Sequence, residues 1–176
     1  LAISKQLVEL MGGSVGLRSR PGEGTTFWCT ATFQKQPVCS PAIVPSAELS
    51  GRRILIVDDN ESNRTILHHL VSGWGMQDHQ AKNAAEAMQM LEEAAAKGEP
   101  YDAAVLDMLM PDKDGLQLAQ DIKAHPQGAG VRLIVLTSLI QPGHAERARR
   151  AGFTAYLTKP VRHDQLQGCL RVVFGS

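Results

Sequence analysis

Ile54-Leu55-Ile56-Val57-Asp58-Asp59-Asn60 is the stretch that decides the fold. A strand with one wet face alternates apolar and polar residues, whereas an unbroken apolar run is the pattern of a strand covered on both faces in a parallel sheet. Ala103-Ala104-Val105-Leu106 and Leu133-Ile134-Val135-Leu136 read the same way. Gln77 to Ala81 is a weaker strand candidate, and Ala155 to Thr158 a short final one. Between these runs lie helical stretches at about 62–73, 83–97, 114–124, 143–151 and 163–174, judged by apolar spacing. Strand and helix alternate five times, which predicts a doubly wound α/β domain on a parallel sheet over residues 52–176.

Upstream, residues 34–51 contain Pro37, Pro41 and Pro45 and no usable period, so they read as a semi-extended linker. Residues 1–33 are short but patterned. Ile3, Leu7, Leu10 and Met11 fall at helical spacing and Gly12-Gly13 supplies a stop, which predicts the end of an amphipathic helix. Ser14 to Ser19 alternates, Thr25 to Phe33 is β-branched and aromatic, and Pro21-Gly22-Glu23-Gly24 between them predicts a hairpin. One helix and one hairpin bury too little surface to fold alone, so this piece is expected to be a remnant of a larger domain. Its apolar face of Ile3, Leu7 and Met11 leaves two outcomes open: mobility, or packing on a second copy as a homodimer.

The 176 residues are 43% hydrophobic and 20% charged, as for a folded globular chain. Residues 1–51 carry four basic and three acidic side chains and residues 52–176 fourteen and fifteen, so the net charge is zero. That balance argues against binding nucleic acid or an anionic membrane through bulk charge. No apolar run reaches the roughly 18 residues that span a bilayer. Cys29, Cys39 and Cys169 are odd in number and widely spaced, as expected of reduced thiols in the cytoplasm, and no Cys/His pair has zinc-ligand spacing. The opening Leu1-Ala-Ile-Ser-Lys-Gln reads as a cut from a longer chain rather than a signal peptide.

Polar residues gather where doubly wound folds build sites, just past the carboxyl ends of strands. The first central run ends in Asp58-Asp59, the next in Asp107, the next in Thr137-Ser138, and the last strand in Lys159-Pro160. Carboxylates brought together repel and raise each other's pKa unless a cation neutralises them. Oxygen-only ligands suit Mg²⁺, which uses carboxylates, waters and a phosphate oxygen. A lysine and a hydroxyl opposite complete a cradle for a phosphoryl group, and one carboxylate can serve as nucleophile. Taken singly, an Asp pair after a strand is more often a helix cap, a Thr a turn residue, and Lys-Pro loop chemistry. Their co-occurrence on four strand ends outweighs those readings.

Asp58-Asp59-Asn60, Asp107-Met-Leu-Met-Pro-Asp-Lys-Asp-Gly, Leu136-Thr137-Ser138 and Thr158-Lys159-Pro160 together resemble the receiver domain of two-component response regulators, over about residues 52–174. The resemblance implies a flavodoxin-like sheet of five strands that takes a phosphoryl group from a phosphohistidine onto an aspartate. By that resemblance Asp107 matches the phosphoacceptor, and Asp58, Asp59, Asp107 and the backbone carbonyl of Leu109 match the Mg²⁺ ligands. Lys159 matches the phosphate-binding lysine, Thr137 the switch hydroxyl and Tyr156 the aromatic switch position, while Lys113 stands where many members carry an apolar residue. Leu1 to Gly13 followed by Ser19-Arg-Pro-Gly-Glu-Gly-Thr-Thr-Phe27 is similar to the end of a histidine-kinase ATP-binding domain. With the wording Asp58-Asp59-Asn60-x-x-Asn63-Arg64, the pair points to a hybrid sensor histidine kinase divided as 1–33, 34–51 and 52–176. The glycine-rich lid and upstream nucleotide motifs of the kinase core are absent, so kinase activity is not expected of this chain. The implied partners are a histidine-phosphorylated kinase domain or a histidine phosphotransfer protein, in the cytoplasm, with membrane anchoring of the parent left open.

His68-His69 lies inside a helical stretch and is expected on its surface rather than as a phosphodonor. Arg147, Arg149 and Arg150 are expected to complement a helix C-terminus, and Met88, Met90 and Met108 to fill the core. A receiver-like domain kept only for docking is the alternative. It has no use for the acid pair, the acceptor, the threonine and the lysine together. A flavodoxin-type mononucleotide binder is a weaker third reading, since an acidic first loop repels a phosphate that lacks a metal.

Overall fold

The computed structural model describes residues 2–34, 47–138 and 144–175, without the side chains of 144–146. Two units divide the chain, Leu1–Ala42 and Ile43–Ser176. In the first, α1 (Ala2–Leu10) buries none of its residues and ends where Gly12 adopts a φ of 68°. That left-handed turn lets the Gly13 amide reach back to the Val8 carbonyl. Strands β1 (Val15–Arg20) and β2 (Gly24–Cys29) form the expected antiparallel hairpin, with Val15 opposite Cys29 and Arg20 opposite Gly24. The second strand stops at Cys29 rather than running to Phe33. The chain before Val15 turns away at Gly13, so the amides of Thr30 and Thr32 bond instead to the carbonyls of Ser14 and Met11.

In the second unit the order is β3 (Arg53–Val57), α2 (Glu61–Gly73), β4 (Gln77–Ala81), α3 (Ala84–Ala96), β5 (Ala103–Asp107), α4 (Gly115–Ala124), β6 (Arg132–Thr137), α5 (His144–Arg150), β7 (Phe153–Thr158) and α6 (His163–Phe174). All strands pair in parallel in the spatial order β4-β3-β5-β6-β7. The apolar runs are explained by two cores, one on each face. Ile54, Ile56, Val105, Ile134 and Leu136 pack with Leu67 and Val71 of α2 and Leu166 and Leu170 of α6. Leu55, Val57, Leu106, Leu133 and Val135 pack with Leu91 of α3, Leu118 and Ile122 of α4 and Ala148 of α5. Alternate residues of each apolar run therefore feed opposite cores, and no position within those runs is left for a polar side chain. Strand β4 lies at one edge, pairs only with β3, and its sequence Gln-Asp-His-Gln-Ala is correspondingly polar.

Most of the expected linker, residues 35–46, and with it Cys39, lies outside the described residues. Its final part does not behave as linker: Leu49 is fully buried in the α2–α6 core and the Gly51 amide bonds to the Gly75 carbonyl. The last strand begins at Phe153, two residues earlier than expected, because Phe153 is buried against Leu133. Met88, Met90 and Met108 pack against the α3–α4 core as expected. Among the described residues no helix is long and apolar enough to cross a membrane.

Candidate functional site

The chain leaves β3 towards β4 on one side and returns to β5 on the other, so the loops after β3 and β5 diverge and open a crevice at the carboxyl end of the sheet. Asp58 follows the last residue of β3 and is fully buried, whereas Asp59 is exposed. Asp107 is the last residue of β5 and is 6% exposed. One carboxylate oxygen from each of Asp58, Asp59 and Asp107 lies within 4.8 Å of the others.

The start of α2 organises the acid pair. Asn60 caps the helix, its Oδ1 accepting from the amides of Ser62 and Asn63. Asp58 Oδ1 accepts from the Asn60 amide at 2.9 Å, and the Asn63 carboxamide donates to both Asp58 oxygens at 3.1 Å. Arg64 Nη1 donates to the carbonyls of Asp58 at 2.8 Å and Asp59 at 3.1 Å. In the sequence Asn63 and Arg64 stand out only through the motif Asp58-Asp59-Asn60-x-x-Asn63-Arg64. Their roles follow from helical geometry: positions three and four past an N-cap face back over the preceding loop.

Lys159 enters from the opposite side. Its amide extends the β6–β7 ladder by bonding to the Thr137 carbonyl at 2.8 Å, and its side chain crosses the crevice. Nζ stands 2.8 Å from Asp58 Oδ2 and 2.8 Å from Asp107 Oδ2. Burial raises the Asp107 pKa above the ordinary carboxylate value, the hydrogen bond and charge of Lys159 draw it back, and the neighbouring Asp58 pushes it up again. For Lys159 burial acts to lower the pKa, but its bonds to the two carboxylates outweigh this and the pKa is raised. The lysine is a charged internal counter-ion.

The loop after Asp107 folds back tightly. The Gly115 amide bonds to the Met108 carbonyl, and a Cβ on Gly115 would stand 2.4 Å from the Asp107 carbonyl oxygen. Leu109 donates its amide to Asp107 Oδ1 at 3.4 Å while its side chain is exposed. Lys113 turns outward to pair with Asp121 of α4. Thr137 ends β6 and is buried, and Tyr156 of β7 lies opposite Val135 with its ring half exposed. His68 proves to be more than a surface residue: its Nδ1 lies 2.9 Å from the Asp78 carboxylate and ties α2 to β4.

A profile of the response regulator receiver domain matches residues 54–171. The chain belongs to that family. As a receiver domain it serves phosphorelay signal transduction, and the relatives show where such domains occur. The sensor histidine kinase AruS of Pseudomonas aeruginosa is 34% identical over 172 residues, covering 97% of this chain and 17% of its own. The virulence sensor protein BvgS of Bordetella bronchiseptica is 32% identical over 180 residues, covering 95% of this chain and 14% of its own. The chain therefore spans only a small part of the length of these curated relatives. Among solved structures, the receiver domain of a Pseudomonas aeruginosa sensor histidine kinase, described with a magnesium ion coordinated in its active site cleft, is 30% identical with a TM-score of 0.62, covering 72% of this chain and all (100%) of that one. The chemotaxis protein CheY4 of Vibrio cholerae, 24% identical with a TM-score of 0.63 over 70% of this receiver chain and 99% of its own, shares the fold.

Proposed function

We propose that Asp107 accepts the phosphoryl group of a phosphohistidine, carried by a kinase domain or a histidine phosphotransfer protein. The observation that carries this reading is the buried Asp58–Lys159–Asp107 bridge, with both contacts at 2.8 Å at the carboxyl end of the sheet. A carboxylate oxygen of Asp107 attacks phosphorus, the P–O bond forms as the P–N bond breaks, and the leaving imidazole takes a proton from water. Lys159 holds Asp107 ionised and aimed, and its ammonium can pass to the phosphoryl oxygens as they arrive. The donor set fits a hard cation: among the described residues it consists of three clustered carboxylates, without a histidine or cysteine. Asp58, Asp59, Asp107 and the Leu109 carbonyl are the residues proposed to hold Mg²⁺, which when bound would neutralise charge on the transferring group. Thr137 is proposed as the hydroxyl that moves to the phosphorylated aspartate, and Tyr156 as the ring that follows it inward.

We place the chain in a longer sensor histidine kinase, with residues 1–33 as the end of its ATP-binding domain. Supporting this, alignments to AruS and BvgS cover 97% and 95% of the chain and so run into the first unit. The test of the site is intact mass after incubation with acetyl phosphate and Mg²⁺. The wild type gains one phosphoryl group and Asp107→Asn gains none while staying folded. Equal gain in the variant refutes Asp107 as acceptor.

A further inference from the structure

We infer that Arg64 is a positioning residue for the cation site: it fixes the backbone from which Asp59 projects. This rests on the proposed role of the acidic cluster and deepens it. Asp58 has its carboxylate held from three sides, by Asn60, Asn63 and Lys159. Asp59 has no such support. Its side chain is exposed, and among the described residues it makes no hydrogen bond or ion pair, yet one of its oxygens lies within 4.8 Å of those of Asp58 and Asp107. Its Cα–Cβ direction is set by its backbone, and no side-chain bond corrects it. The Asp59 carbonyl accepts a bond from Arg64 Nη1 at 3.1 Å, and the same nitrogen holds the Asp58 carbonyl at 2.8 Å. Arg64 is half-buried in the first turn of α2, directly after the Asn60 cap and Asn63 that hold Asp58.

Both bonds come from one nitrogen. The site uses Arg64 as a point donor rather than as the two-pronged fork that makes arginine irreplaceable elsewhere. An ammonium with three donors can do the same work, so lysine should substitute. The guanidinium's positive charge works against a cation nearby, so only orientation, and not attraction, explains a loss of affinity when Arg64 is removed.

The experiment compares wild type, Arg64→Ala, Arg64→Lys and Val71→Ala. Mg²⁺ affinity is read directly by NMR titration of the unphosphorylated protein, and thermal melting is recorded for each. Phosphorylation by acetyl phosphate is then measured against Mg²⁺ concentration. Arg64→Ala is expected to weaken Mg²⁺ binding about 10-fold or more, the usual effect of removing a group that orients a metal ligand, with the rate at saturating Mg²⁺ close to wild type. Arg64→Lys is expected to restore most of the affinity. Val71→Ala, which loosens the same helix from inside the core, should melt earlier but bind Mg²⁺ as the wild type does. Unchanged affinity in Arg64→Ala, failure of lysine to rescue, or an equal loss in Val71→Ala each overturns the inference. If Arg64→Ala does not fold, the lysine variant decides, since a loss there of 10-fold or more contradicts a point-donor role. Wild type that neither binds Mg²⁺ nor gains a phosphoryl group refutes the site reading itself, a result distinct from these.

Discussion

Replacing Lys159 by Met keeps an unbranched side chain of similar length and removes the ammonium that stands 2.8 Å from both Asp58 and Asp107. Breaking a buried ion pair by deleting one partner costs about 3–5 kcal/mol, because a charge stays behind without compensation. Little solvent screening applies, since the side chains of Lys159, Asp58 and Asp107 are 19%, 0% and 8% exposed. The loss depends on pH. In the wild type the Asp107 pKa already lies above the ordinary 3.8, from burial first, with Lys159 opposing. Without the lysine, burial and the Asp58 charge act nearly unopposed and that pKa rises further. Between the unfolded and folded values the folded protein holds a proton that the unfolded chain has released, so stability falls as pH rises through this window. Within that widened window the loss accumulates at about 1.4 kcal/mol per pH unit. Lys159 itself has a raised pKa and stays charged throughout, so the wild type loses stability only across the narrower window of its own Asp107. Lys159→Met should therefore be destabilised more at about pH 8 than at about pH 5, by at least ~1.4 kcal/mol. The assay is urea unfolding in chelator, read by the fluorescence of the buried Trp74. An equal loss at both pH values, or a variant more stable at the higher pH, would falsify the counter-ion argument.

Gly115→Ala should destabilise the second unit by roughly 1–3 kcal/mol and slow phosphorylation, because its Cβ meets backbone rather than a side chain that can yield. Urea unfolding and the phosphorylation time course check this, and wild-type values in both would show that the loop tolerates the methyl. Thr137→Ala should still take up a phosphoryl group at Asp107 but lose the response around Tyr156. NMR spectra with and without beryllofluoride decide it: identical shifts at Tyr156 in wild type and variant remove the hydroxyl from the switch.

The sequence by itself determined the sheet, its strand directions and the site's composition. Ile54–Val57, Ala103–Leu106 and Leu133–Leu136 have no polar position, and only a strand buried on both faces satisfies that pattern. Asp58-Asp59 and Asp107 stand directly after such runs and Lys159 after the last strand, so parallel strand direction alone brings them to one end. Boundaries that depend on a partner were not legible. The end of β2 at Cys29 is set by where β1 begins, and Leu49 leaves the linker because it packs into the α2–α6 core. Nor could spacing reveal how the acid pair is held. Arg64 reads as an ordinary helix residue until the first turn of α2 folds back over the loop and places Nη1 between two carbonyls. Gly115 reads only as the start of a helical stretch until the loop brings it within 2.4 Å, measured from its would-be Cβ, of the Asp107 carbonyl oxygen. Which side chains bear the charges is written locally along the chain. Which atoms hold them in place is decided by contacts between segments, and only the packed tertiary structure creates those.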